Sequence, residues 1–208
     1  MAELSDSILS NKDIDIEKII SVVKESSKSL EQVLDFLTDK NDTLRNNCYQ
    51  IILILSHIQP ALLYSHWDYF SDLVESSNSF HQIIGVKIIA NLVKLDKEKK
   101  FSALFNQFVL FTKSKELPLI KAVIKALGKI ALTLPELQDE IIKLFLNIDD
   151  KDHHQLDIVK NDVIEAFNMF YSISQQQDKI YKYVEKLCSN NNPVTQKTAD
   201  LFVNKYRE

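Results

Sequence analysis

Glycine and proline are nearly missing from this chain: two Gly and four Pro in 208 residues. A β-sandwich or barrel needs many tight turns, and tight turns rest on Gly, Pro and Asn. A phosphate-cradling loop needs clustered glycines, whereas Gly85 and Gly128 stand far apart. Both residue types are the worst tolerated in helix interiors, so their scarcity points to an all-α chain. Cysteine is also sparse. Cys48 and Cys188 sit among apolar residues at helical spacing, where a thiol behaves as a small hydrophobe. A disulfide framework is therefore not expected, and a reducing compartment is. No long apolar run is present: the longest aliphatic stretch, Ile51–Leu55, is far short of the ~20 residues that span a membrane. The first residues, Met1 to Asp6, are polar and acidic and lack the pattern of a secretory signal. These features predict a soluble, cytoplasmic protein that does not bind membranes.

What the chain does have is apolar residues at intervals of three and four along nearly its whole length, the helical period. Ile16, Ile19, Ile20 and Val23 form one stripe, Leu30, Val33, Leu34 and Leu37 the next, and Leu44, Cys48, Ile51, Ile52 and Leu55 a third. Eight more follow at residues 62–74, 80–93, 101–111, 119–132, 137–145, 159–170, 180–187 and 194–203, which predicts eleven helices. The connections are short and polar, and short connections make antiparallel neighbours. Pro60, Pro135 and Pro193 fall near predicted helix starts, where a missing N–H costs nothing.

The stripes also repeat as pairs. The segment Leu119–Ile130 aligns with Val159–Asn168 and with Leu44–Leu53, and weaker copies start at His81 and Val194. Starts at 44, 81, 119, 159 and 194 define a period of 35 to 40 residues, each start preceded by a second, more acidic amphipathic helix. One hairpin of this length cannot bury its own stripe, so neighbours stack into a continuous core. The first unit, Leu30-x-x-Val33-Leu34-x-Phe36-Leu37-x-Asp39 followed by Asp42-Thr43-Leu44-Arg45-x-x-Cys48-x-x-Ile51-Ile52, resembles the HEAT-repeat family and its armadillo-like relatives. The resemblance extends over about residues 28–206 and implies a right-handed α-α superhelix, a solenoid of about five HEAT-like hairpins. The expected organisation is an N-terminal tail and capping helix in residues 1–27. A single repeat domain follows at 28–206, with units of about 28–57, 60–95, 97–134, 135–173 and 176–206.

Catalytic chemistry finds no constellation. None of the five histidines stands in a His-Glu arrangement with a second His one helical turn on, the pattern of zinc proteases. Certain HEAT-like metal hydroxylases repeat His-Glu pairs across their units, and this chain has none. The nearest metal candidate, Asp149-Asp150-Lys151-Asp152-His153-His154, has suitable ligand types but reads as a solvated loop absorbing the longest spacing between units. Trp67, with Tyr64, Tyr69 and Phe70, reads as a core face with flanks rather than a docking patch. No enzyme activity and no cofactor are expected.

One asymmetry points to function. The first three inner helices, 43–57, 79–94 and 117–134, carry Arg45, Lys87, Lys94, Lys121, Lys125 and Lys129 and no acid. The outer helices around residues 31–39 and 68–75 carry only acids. In repeat register, Asn46, Gln50, Lys87, Asn91, Lys121, Lys125, Lys129 and Asn161 share one helix face, because offsets of four return to the same side. In a stacked array that face becomes a ladder along the concave wall, interrupted by Ile54, Ile83 and Met169. The expectation is a non-enzymatic scaffold or adaptor, monomeric or weakly dimeric. It would hold an acidic or amphipathic segment of another protein on this ladder, with Lys121, Lys125 and Lys129 at its centre. The second reading is a nucleic-acid-binding module like the HEAT-like DNA glycosylases. Those proteins use Arg- and Trp-rich inner surfaces, whereas this chain has two arginines, one tryptophan and a net charge of −4.

Overall fold

The computed structural model describes residues 4–148 and 156–207, and every element among them is helical. The chain divides into two compact units, residues 1–95 and 96–208. Unit 1 contains α1 (Asp6–Leu9), α2 (Ile16–Glu25), α3 (Ser27–Asp35), α4 (Asp42–Ile58), α5 (Pro60–Tyr64), α6 (Trp67–Glu75) and α7 (Ser79–Leu92). Unit 2 contains α8 (Phe101–Phe111), α9 (Leu117–Thr133), α10 (Gln138–Leu146), α11 (Leu156–Phe170), α12 (Gln177–Leu187) and α13 (Pro193–Tyr206). The pairs α3–α4, α6–α7, α8–α9, α10–α11 and α12–α13 alternate outer and inner helices, the arrangement of an all-α helical repeat.

Three inner helices start the same way. Asn41 Oδ1 accepts from the amides of Thr43 and Leu44 at 3.0 and 3.2 Å. Asn78 Oδ1 does so for Phe80 and His81 at 2.9 and 3.4 Å, and Asn192 Oδ1 for Val194 and Thr195 at 3.0 and 3.2 Å. Each Asn satisfies two amides that the helix cannot pair internally. Side-chain bonds between neighbouring hairpins recur at about the repeat period. Tyr69 OH donates to the Leu34 carbonyl, 35 residues back, and Lys205 Nζ to Asn168 Oδ1, 37 residues back.

Both glycines lie where two helices touch. A Cβ on Gly85 would fall 2.7 Å from the Val74 nitrogen and 2.8 Å from the Phe70 oxygen, so α7 crosses α6 backbone to backbone. A Cβ on Gly128 would fall 2.9 Å from Ala166 Cβ, and there α9 meets α11. Aromatic residues fill much of the rest: Phe167 packs edge-on against Phe145 and Tyr183, and Phe101 against Phe108.

Two features differ from the sequence expectation. The stripe over residues 62–74 is two helices, because Ser65 Oγ donates to the Leu62 carbonyl at 3.3 Å and takes the acceptor that His66 N would use in a continuous helix. His66 N bonds to the Leu63 carbonyl instead, and the chain turns there. Trp67 is buried, edge-on to Tyr64. The segment before α2 is docked rather than a free tail. Leu4 and Leu9 are buried, Gln32 Nε2 donates to the Leu4 carbonyl at 2.9 Å, and Asn47 Nδ2 donates to the carbonyls of Leu9 and Asn11 at 2.8 and 2.9 Å.

Candidate functional site

The inner-helix residues fall into two groups, one in each unit. In unit 1, Asn46 is exposed, Gln50 half-buried and Ile54 exposed on α4. Lys87 is the one residue between Ile84 and Val93 that is not buried. Its ammonium reaches across to α4, donates to Tyr49 OH at 2.9 Å and lies 5.5 Å from the centre of that ring. Asn91 is not a surface group: it is buried, and its amide donates to Ser56 Oγ at 2.8 Å beside His57 Nε2 at 3.3 Å. The ladder position ten residues into this helix thus stitches α7 to α4. Arg45 is committed as well. It pairs with Asp42, donates to the Asp39 carbonyl at 2.8 Å and stacks over Phe80, closing the turn into α4 rather than facing a partner.

In unit 2 the lysine row keeps its helical spacing, one turn between successive residues on α9. Lys125 is exposed and Lys129 half-buried. Lys121 Nζ lies 2.8 Å from both carboxylate oxygens of Asp162 on α11. Burial pushes the Asp162 carboxyl above its ordinary range, and the bond to Lys121 opposes that shift. Asn161 Nδ2 reaches Glu165 Oε1 at 3.5 Å. Lys121 is therefore neutralised, while Lys125 is exposed on the same face as Leu132, which is exposed in the last turn of α9. Repeat register could not find Asp162, because Asp162 lies off the ladder and acts on it from the next hairpin.

The remaining candidates are structural. Cys48 is fully buried, and burial together with Asp39 pushes its thiol up to about 12. Cys188 is half-buried; desolvation and Asp200 raise its thiol to about 11. Among the described residues, no group of three or more His, Cys, Asp or Glu side chains could hold a metal ion; the stretch Asp149–His154 lies outside them. No described helix is long and apolar enough to cross a membrane.

No family model matches the chain, and no curated protein does. Solved structures match in fold. A designed armadillo repeat protein superposes with a TM-score of 0.60 at 17% identity, over 96% of this chain and 89% of that one. Computationally designed armadillo repeat proteins for modular peptide recognition give 0.62 at 18% identity, over the same shares of the two chains. An engineered protein gives 0.52 at 14% identity, over 96% and 85%. The chain has an armadillo- or HEAT-like helical-repeat fold.

Proposed function

We propose that the chain is a non-enzymatic interaction scaffold that holds an acidic or amphipathic segment of a partner protein against its inner-helix faces, with α9 as the principal contact. The carrying observation is the exposed Lys125 beside Lys129, on a helix without a single acid and with Leu132 exposed at its end. A row of cations next to an apolar side chain suits a segment bearing Glu or Asp on one edge and Leu on the other. The likeness to repeat proteins designed for peptide recognition supports the class of activity. The net charge of −4 and the presence of only two arginines favour a protein segment over a nucleic acid.

The test is fluorescence anisotropy with two labelled probes: a peptide carrying Glu and Leu at helical spacing, and a duplex oligonucleotide. The peptide binds the wild type, and Lys125→Glu together with Lys129→Glu weakens it at least ~10-fold, with an unchanged circular dichroism melt. Unchanged peptide affinity in the double variant would overturn the assignment. Oligonucleotide binding that falls steeply with salt would support the nucleic-acid reading instead.

A further inference from the structure

Two large apolar side chains stand out among the polar ones on the exposed side of α13. Val194 and Leu201 are 64% and 62% exposed. Seven residues apart, they lie on one side of the helix, separated by ~10 Å along its axis, and form an apolar ridge. Lys197 stands beside them and Arg207 follows the helix. Together with Lys205, these basic residues outnumber the helix's one acid, Asp200.

Between α1 and α2 runs a groove of about 420 Å³ whose apolar walls are Leu4, Ile8, Ile14, Ile19 and Val22. Ile8 is 42% exposed at its edge. Asp13, Asp15 and Lys18 also line it; over this segment Asp6, Asp13, Asp15 and Glu17 outnumber Lys12 and Lys18. Ridge and groove each carry apolar side chains, and the segments that bear them are opposite in net charge. Pairing α13 with a second α13 would set Lys197 near Lys197, whereas seating it in the groove sets lysine against aspartate.

We propose that a second copy of this chain is the occupant of the groove. The α13 ridge of one copy enters the α1–α2 groove of the next, a head-to-tail contact that leaves one ridge and one groove open for further growth or ring closure. This inference does not depend on the lysine row of α9.

Sedimentation equilibrium of the full chain over a wide concentration range reads it directly. The wild-type mean mass rises with concentration past that of a dimer, or to a ring, and salt weakens the effect. Leu201→Glu and Ile8→Glu each weaken association by at least ~10-fold and sediment as monomers. Asp13→Lys, which leaves the apolar walls intact, weakens association by several fold. An equimolar mixture of Leu201→Glu and Ile8→Glu recovers a 1:1 dimer and nothing larger, because one intact ridge and one intact groove remain between them. A wild type that stays monomeric, single variants that still assemble, or a mixture that stays monomeric while both variants keep their circular dichroism melts would each overturn the proposal.

Discussion

Replacing Gly85 by alanine sets two calculable effects against each other. In an isolated helix the change stabilises by about 1 kcal/mol, since alanine loses less backbone entropy than glycine. In α7 the new Cβ would lie 2.7 Å from the Val74 nitrogen, 2.8 Å from the Phe70 oxygen and 2.8 Å from Val74 Cγ2. Non-bonded heavy atoms settle near ~3.5–4.0 Å, so α6 and α7 must separate by most of an ångström. The Val74 side chain can rotate aside, but the two main-chain atoms cannot. Over-packing of this kind costs roughly 1–3 kcal/mol, and here it also opens the contact around fully buried Phe70, Val74 and Ile88. The cost should lie at the upper end, leaving a net loss of about 1–2 kcal/mol. For a chain of this size that lowers Tm by roughly 2–8 °C. Gly128→Ala makes the internal comparison, because its Cβ would meet Ala166 Cβ at 2.9 Å and Ala166 Cα at 3.0 Å. It should also destabilise, and by less than Gly85→Ala if one helix can slide over a methyl group. Differential scanning calorimetry of both variants is the assay. A Tm for Gly85→Ala at or above wild type would mean that the helices do not cross backbone to backbone at this point.

Three further outcomes follow from local geometry. The Cys48 thiol stays protonated to about 12 in the folded chain and titrates near ~8.5 when unfolded. The neutral form is therefore favoured in the fold, and stability falls as pH rises from about 9. Burial raises the Tyr69 and Tyr183 phenols to about 12 in the same sense, so urea midpoints should decline between about pH 9 and 11; a flat profile would count against a buried Cys48. Asn78→Ala removes the cap of α7 and should cost about 1 kcal/mol in urea unfolding, with Asn78→Gly costing less; equal losses would show that the Oδ1 bonds contribute nothing. Lys99 holds a left-handed backbone at φ 58° in the turn before α8, so Lys99→Gly should raise stability by up to about 1 kcal/mol; a lower Tm would argue against that turn.

The sequence made the period visible because repeat proteins restate one packing problem every hairpin. The inner stripe Leu44, Cys48, Ile51 and Leu55 is buried where the spacing places it, whereas Val194 and Leu201 of the last inner stripe are exposed. Period alone could not see competition for hydrogen bonds. Ser65 looks like any polar residue on a helix flank, yet its hydroxyl ends α5. Leu4 and Leu9, five residues apart, fit no helical stripe, and their docking depends on Gln32 and Asn47 in later helices. The ladder met the same limit. Offsets of four put Asn91 and Lys87 on one face, but only packing shows that Asn91 is sealed between helices while Lys87 reaches Tyr49. The asparagine caps at 41, 78 and 192 were a local signal already present, and they mark inner-helix starts more sharply than the apolar residues do.

The charge on a repeat face belongs to two helices at once. Read alone, α9 is a row of three lysines and no acid, a surface for anions. Stacking brings α11 against it, and Asp162 takes the first of the three into an ion pair in which the lysine is the more exposed partner. A pair half in solvent contributes little to stability, so it acts chiefly on the field. It shifts the positive potential along α9 away from Lys121 to exposed Lys125, toward exposed Leu132. That shift changes which substitution is informative. Lys121→Glu would set two carboxylates together and perturb folding along with binding, whereas Lys125→Glu changes the field and leaves the contact between α9 and α11 intact.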